Sequence, residues 1–494
     1  MERGDMKSEY RINAAVIAVL LMGGVSLFSG CAVNCEVKKV DTVTVSADFS
    51  KFSGKTIKPL HGINNSPLSL NKPIPELTEA GIPFVRLHDT GGAYGGSVYV
   101  DIPNIFPDFD ADENDPANYH FEFTDAYIKQ LVASGCQVFY RLGITIENNY
   151  RIRALRTAPP KDFAKWARIC EKVIRHYNEG WANGFKYGIK YWEIWNEPEN
   201  PPMWSGTKEQ FFELYKVAST YLKKQFPDLS FGGYASCGFY ALNYPENKTY
   251  AMFMQWANEF VAFCAKEKLP LDFFSYHRYY DDPEKFIVEA EYARNLLDKH
   301  GFNKTECIFN EWNFTNWLGD QYVDMRTELG ASMVAHMLIL LQRLPVDKAM
   351  YYQATPNSGY GGWYEFPGKK LTRTYYAFKS FNSLYKLGRE VPCTISGKGI
   401  IGFAAAKDSA AAVMLANSGK EPVRVSLDLL NIPGQGKRYQ ADKKHCFELL
   451  PYEKEFVMPA HSFVLLEYNS GTLHKVDALN EKGNFAGLDG VDKK

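Results

Sequence analysis

Between residues 57 and 385, short runs of aromatic and β-branched residues alternate with longer runs in which apolar positions return every third or fourth residue. The short runs, at 60–64, 84–88, 137–142, 191–196, 230–234, 272–279, 306–310 and 348–353, read as eight strands. The longer ones read as helices. Phe163, Trp166, Ala167, Cys170, Val173, Ile174 and Tyr177 fall on one helical stripe. Thr207-x-x-Gln210 has the form of a capping box, opening a helix that carries Phe211, Leu214, Tyr215, Ala218 and Leu222 on one face. Asp282-Pro283 reads as an N-cap followed by proline at the first helical position, and two more helices are expected over 250–268 and 322–343. Eight β/α alternations predict an α/β fold, a (β/α)8 TIM barrel over residues 57–385. A doubly wound sheet fits less well, because no G-x-G-x-x-G follows the first strand.

Beyond residue 386 the helical spacing stops. Val423, Val425, Leu427 and Leu429 alternate with polar residues, as do Val464, Leu466 and Tyr468, which predicts a C-terminal antiparallel β-sandwich domain over 386–470. Val43, Val45, Ala47 and Phe49 alternate in the same way, so the segment 31–56 is expected to send a strand into that sandwich. Residues 471–494 are polar and rich in Gly, Lys and Asp, and read as a tail.

The first 30 residues differ in kind. Lys7 and Arg11 precede an apolar run over 14–28, the length of a signal-peptide core and short for a membrane span. Ser29-Gly30-Cys31 then resembles the lipobox of bacterial lipoproteins, with Phe28 where leucine is usual. That likeness implies lipidation at Cys31, an N-terminal membrane anchor and an address in the bacterial cell envelope. The other cysteines, scattered singly through apolar segments apart from Cys35, read as free thiols without a zinc or redox spacing. With 56 Lys+Arg against 57 Asp+Glu, the net charge of -1 speaks against nucleic acid as a partner. No cofactor or metal is expected, and the oligomeric state stays open.

On a TIM barrel the site lies where the strands end. Glu197 closes the fourth expected strand, in Y-W-E-I-W-N-E-P-E-N at 191–200, and Glu311 the seventh, in C-I-F-N-E-W-N at 307–313. Strands four and seven face each other across an eight-stranded barrel, so two carboxylates can converge on one point. Glycosidic hydrolysis needs such a pair: an acid for the departing oxygen, and a carboxylate that attacks the anomeric carbon or activates water. Strand alternation puts Glu193 and Trp195 on the same side as Glu197, and Glu193 reads as a barrel-interior carboxylate paired with Arg86 or Arg141. Asn196 then points away unless the strand twists or bulges at its end.

N-E-P after W-x-I-W, in register with a later glutamate, resembles the glycoside hydrolases of clan A. H-G-I-N-N-S-P at 61–67, V-R-L-H at 85–88, M-W-S-G-T at 203–207, F-S-Y-H-R-Y at 274–279 and N-E-W-N at 310–313 are most similar to family 39, which contains β-xylosidases, α-L-iduronidases and some arabinan-directed enzymes. The resemblance implies a retaining mechanism on oligosaccharide or polysaccharide substrates, with Glu197 as acid/base and Glu311 as nucleophile. It further implies that Asn196 binds the sugar 2-hydroxyl, Arg86 holds Glu311 ionised, His277 and His88 belong to the sugar-binding set, and Tyr279 hydrogen-bonds the nucleophile. Trp363 reads as a stacking platform for a sugar face or as rim packing; Trp192, Trp195 and Trp312 read as core or wall. Asn310, where threonine is common, Glu147 in R-L-G-I-T-I-E-N at 141–148, and the insertion over 89–119 depart from the family pattern. Two other readings stay open on the residues alone. A metal-dependent barrel hydrolase is suggested by His61, His88 and His277 at three strand ends, although no H-E-x-x-H occurs; the other is a surface lipoprotein that binds glycan without cleaving it.

Overall fold

After an opening strand β1 (Thr42–Asp48), eight parallel strands pair in chain order and close on themselves: β2 (Gly62–Asn64), β3 (Phe84–Leu87), β4 (Gln137–Leu142), β5 (Tyr191–Ile194), β6 (Ser230–Ser236), β7 (Phe273–Tyr279), β8 (Glu306–Asn313) and β9 (Lys348–Tyr351). This is the TIM barrel. The computed structural model describes residues 41–88, 100–144, 157–201, 203–314, 324–356, 360–365, 368 and 370–469. The expected leader over 1–30, Cys31, Glu147, part of the 89–119 insertion and the expected tail over 471–494 lie outside the described residues.

The helices between strands follow their sequence stripes. Phe163–Asn178 buries Trp166, Ala167, Cys170, Val173, Ile174 and Tyr177, and Asp162 caps it by accepting from the Lys165 amide. Thr207 and Gln210 close the reciprocal capping box of Lys208–Gln225. One boundary differs by a residue: the helix expected to start at Pro283 runs Glu284–Lys299, with Pro283 as N-cap and the Asp282 carboxylate accepting from the Glu284 amide. The helix expected from residue 250 begins at Lys248, because Asn247 takes the Thr249 and Tyr250 amides.

Inside the barrel, side chains stack in layers set by the two-residue period of a strand. Phe84, Phe139, Tyr191, Phe273, Ile308 and Met350 fill the N-terminal end as a buried apolar floor. Two residues further along each of four strands come Arg86, Glu193, Ser275 and Asn310, a polar layer that carries the site above it.

The C-terminal domain is a sandwich of two sheets. One has the order β11 (Cys393–Ser396), β1, β14 (Val423–Leu430), β17 (Glu455–Met458). The other runs β10 (Arg389–Val391), β12 (Ile401–Lys407), β13 (Ala410–Asn417), β18 (Ser462–Asn469), β15 (Gln435–Ala441), β16 (Glu448–Leu450). Its central strands divide their residues between two cores. Phe403, Ala405, Ala412, Met414, Phe463 and Leu465 pack with the barrel's outer helices, whereas Ala404, Ala406, Ala411, Val413, Val464 and Leu466 face the four-stranded sheet. A sheet covered on both faces needs apolar residues in an unbroken run, which is why these strands show no polar alternation. β1 lies between β11 and β14, parallel to β14.

Candidate active site

Arg86 is the centre of the polar layer and fully buried. Its Nε donates to Glu193 at 2.8 Å, Nη1 donates to Glu311 at 2.8 Å and to Asn64 at 3.0 Å, and Nη2 donates to Asn196 at 2.7 Å. Burial works against this charge, and Glu193 and Glu311 outweigh it, raising the guanidinium above its ordinary value. Glu193 is an interior carboxylate: Ser275 Oγ and Asn310 Nδ2 donate to its second oxygen at 2.5 and 2.6 Å. Asn310 thus serves the layer beneath the site. Arg141 pairs with Asp101 at 2.6 Å and supports His88, donating to its carbonyl at 2.8 Å.

Two backbone irregularities bring the key carboxylates inward. Along β8, simple alternation after Ile308 and Asn310 would turn Glu311 outward. The register with β7 slips by one residue there, from Tyr276 opposite Phe309 to His277 opposite Glu311. This bulge aims Glu311 into the barrel mouth and leaves Trp312 buried outside against Tyr351. β8 accordingly extends to Asn313, past the expected end at 310. On β5 the strand stops at Ile194 instead of 196, since Trp195 adopts φ +72° and Glu197 φ +44°, a conformation unfavourable for residues with a Cβ. Trp195 therefore does not share the side of Glu197; it packs on Trp166 and Trp204 behind the barrel. The same turn swings Asn196 in to accept from Arg86.

Glu197 and Glu311 meet across this mouth. With His277 they each bring one donor atom to within 4.8 Å of the others. His277 Nδ1 lies 2.5 Å from Glu197 Oε1 and 3.3 Å from Glu311 Oε2, and Tyr279 donates to Glu311 Oε2 at 2.7 Å. Asn200 Nδ2 donates to the other Glu197 oxygen at 2.9 Å. Burial pushes the Glu197 carboxyl up, but the facing His277 ring and Asn200 outweigh it and hold it below its ordinary value. The triad is also the one group among the described residues with the spacing a bound cation requires. His88 lies with its Nε2 3.7 Å from Glu311, and burial with Arg86 and Arg141 nearby keeps its imidazole neutral.

Some expectations change here. Trp363 is no sugar platform: it is fully buried, edge-on against Tyr375 and Phe378 at 5.2 and 5.1 Å. The three histidines do not gather. His61 precedes β2 at the floor end, with Nε2 3.1 Å from the Gly81 carbonyl and its ring against Phe381 and Tyr385. Glu199, the second carboxylate of N-E-P-E-N, has no role in the sequence reading yet is nearly inaccessible beside Glu197. Ser236 Oγ and the Cys237 amide donate to its Oε1 at 2.8 and 2.7 Å, while its Oε2 has no partner among the described residues. Burial, with the Glu197 charge, pushes it up to about 8. Its spacing was a signal: two residues after Glu197, past a proline, a second acid enters the same enclosed turn.

Around these groups lies a cavity of about 650 Å³, lined by His88, Asn196, Glu197, His277, Tyr279 and Glu311 together with Tyr240, Tyr244, Tyr250 and Tyr280.

Comparison with known proteins is consistent along the chain. A β-xylosidase of Geobacillus stearothermophilus is 27% identical over 344 residues, covering 59% of this chain and 61% of that protein. A β-xylosidase of Caldicellulosiruptor saccharolyticus is 32% identical over 214 residues, 40% of this chain and 39% of the relative. The chain thus spans less than two thirds of these relatives' length. Among solved structures, a glucosidase from Croceicoccus marinus superposes with a TM-score of 0.68 at 21% identity, covering 87% of this chain and 99% of that one. A monomeric β-xylosidase from Caulobacter crescentus gives 0.61 at 16%, with 86% and 99% covered. The family model for glycosyl hydrolases family 39 matches residues 98–345, the span that carries β4 to β8 with both facing glutamates, and on that match the chain belongs to this family.

Proposed function

We propose that this protein is a retaining glycosidase that removes a β-linked pentose, foremost β-D-xylose with an arabinoside as second choice, from plant-type or other complex glycans. The single observation that carries the reading is the approach of Glu197 and Glu311, one oxygen of each lying within 4.8 Å of the other. Carboxyl groups about 5–5.5 Å apart leave no room for water between the second carboxylate and the anomeric carbon and favour a covalent intermediate; inverting pairs stand roughly 6.5–9.5 Å apart.

In this mechanism Glu311 attacks the anomeric carbon while Glu197 gives its proton to the departing oxygen. Water then enters, Glu197 takes its proton, and the Glu311–sugar bond breaks. Arg86 and Tyr279 hold Glu311 in its anionic form by direct hydrogen bonds. Asn196, fixed through Arg86, is placed for the sugar 2-hydroxyl. In the free site Glu197 shares its position with His277 at 2.5 Å; a sugar that displaces water there deepens burial and favours the protonated acid. The β-xylosidase names of two relatives support the pentose.

The test is a panel of aryl glycosides (β-D-xyloside, α-L-arabinofuranoside, β-L-arabinoside, β-D-glucoside, β-D-galactoside, α-L-iduronide) with wild type and Glu311→Ala, repeated with a chelator. Release from a pentoside, absent in the variant and indifferent to chelator, is the expected result. Loss with chelator would favour a cation held by Glu197, His277 and Glu311. Retention of an intact xylo-oligosaccharide on long incubation would favour glycan binding without cleavage.

We further propose that the mature chain is anchored in the bacterial envelope through Cys31, on the strength of the apolar run over 14–28 and the small residues before that cysteine. Radiolabelled palmitate should enter the wild type and not Cys31→Ser; equal labelling would refute it.

A further inference from the structure

Glu197 is held from three sides. Asn200 Nδ2, on its own turn, donates to Oε2 at 2.9 Å, and His277 Nδ1, on β7, lies 2.5 Å from Oε1. The third contact comes from the end of β6, where the thiol of Cys237, a residue that lines the cavity, donates to the same carboxylate. Glu199 joins two of these sides. We propose that it is a positioning residue for the general acid: it braces the turn after β5 against the end of β6, and so sets Asn200 and the Cys237 thiol on Glu197. The proposal rests on the glycosidase reading.

The brace begins in N-E-P-E-N itself. The Asn200 amide donates to the Glu197 carbonyl at 2.9 Å, closing a four-residue turn with Pro198 and Glu199 at its centre. Proline presets the first central position of such a turn, and Glu199 takes the second. Its side chain crosses to β6, where Ser236 Oγ and the Cys237 amide donate to Oε1 at 2.8 and 2.7 Å. A backbone bond runs the same way, from the Glu197 amide to the Ala235 carbonyl at 3.1 Å. Cys237 is gripped at its other end too. Arg278 Nη1 donates to its carbonyl at 3.2 Å, and Arg278 is ion-paired with the equally buried Glu289. The backbone of Cys237 is thus fixed on both sides, and its thiol is aimed by that backbone.

These donors act during proton transfer. While Glu197 gives up its proton, negative charge grows on its carboxylate, and donors already aimed there receive that charge without reorganising. A brace with a charge of its own would oppose this. Oε1 of Glu199 takes both of its donors, so the proton that burial keeps on this residue up to about pH 8 sits on Oε2, which has no partner among the described residues. Glu197 therefore has a neutral neighbour on this side. The titratable groups that face it from other elements are His277 on β7, Glu311 on β8 and Cys237 after β6.

The experiment measures kcat/KM for a series of aryl β-D-xylosides, from dinitrophenyl to unsubstituted phenyl, with wild type, Glu199→Ala and Glu199→Gln. Dinitrophenolate departs without a proton, whereas phenol needs one from Glu197. The expected result is that Glu199→Ala lowers the ratio of kcat/KM for the phenyl to that for the dinitrophenyl xyloside by about tenfold or more. Glu199→Gln, which keeps an oxygen for Ser236 and the Cys237 amide, should restore it. Cys237→Ala and Cys237→Ser give a second pair that leaves the brace in place: the first should lower the same ratio, and the second, which keeps a donor, should restore it. A ratio unchanged in Glu199→Ala, with both substrates slowed in parallel, would make Glu199 scaffold only and overturn the proposal. If Glu199→Ala does not fold, an unchanged ratio in Cys237→Ala overturns it instead. Wild type inert on the whole series would overturn the β-xylosidase reading, and this role with it.

Discussion

Replacing Glu199 by glutamine should make the protein more stable in alkali and change little in acid. Glu199 is enclosed beside Glu197, with the Tyr234, Ser236 and Cys237 side chains around it. In the folded chain it keeps its proton up to about pH 8, against an ordinary value of 4.5. Between those values the folded state binds more protons than the unfolded one, so the free energy of unfolding falls as pH rises. The slope is about 1.4 kcal/mol per pH unit, and the whole interval costs ~5 kcal/mol. This stability is fully present below pH 4.5 and has been lost once pH passes about 8. Glutamine keeps an oxygen to accept from Ser236 and the Cys237 amide and cannot ionise. A chain of this length shifts its Tm by about 1 °C per kcal/mol. The Tm of Glu199→Gln minus that of wild type should therefore climb from near zero at pH 5 to about +5 °C at pH 9. The assay is differential scanning calorimetry at matched ionic strength, with urea midpoints as a second readout. A difference flat across this range would mean that Glu199 is charged throughout, and the argument from burial would be refuted.

Glu197→Ala should slow xylo-oligosaccharides by about 10²–10⁴-fold and activated aryl xylosides far less, because only the former need a proton on the departing oxygen; equal losses would deny it the acid role. Glu311→Ala should abolish turnover of both substrate types, which steady-state assays on the same two substrates decide. Arg86→Met leaves Glu193 and Glu311 buried without their shared cation, and should cost about 3–5 kcal/mol in a denaturant titration; a change below 1 kcal/mol would contradict the central place of this residue. Trp363→Phe should lower stability by about 1–3 kcal/mol through the void it opens against Tyr375 and Phe378 while leaving KM for xylotriose unchanged; a raised KM would return Trp363 to the sugar.

The barrel was legible because its strands are short, aromatic and β-branched and its helices carry their stripes and caps in plain order. The convergence of strands four and seven followed from eight-fold closure alone. What alternation could not supply was the aim of the side chains at the strand ends. Glu311 faces inward only because of one slipped register beside Asn310, and Asn196 only because Trp195 takes a positive φ. Both are backbone departures without a residue-type signature, since neither position is glycine. Trp363 lies deeper than either reading of G-G-W-Y, platform or rim, because the ring is drawn under the helix that carries Tyr375 and Phe378.

The placement of β1 bears on how this chain comes into being. A strand made early in synthesis pairs at residues 42–48 with Arg424–Leu430, made after the whole barrel. The four-stranded sheet is thus split across the ribosomal timetable, and its first member must wait, with Val43, Val45 and Ala47 uncovered, until its partners emerge. A protein trimmed after the helix Arg373–Leu387 would keep the barrel's strands but strand that edge in solvent, open to pairing with another chain. The sandwich closes only when β1 meets β14, and a nascent or truncated chain is most prone to association before that pairing forms.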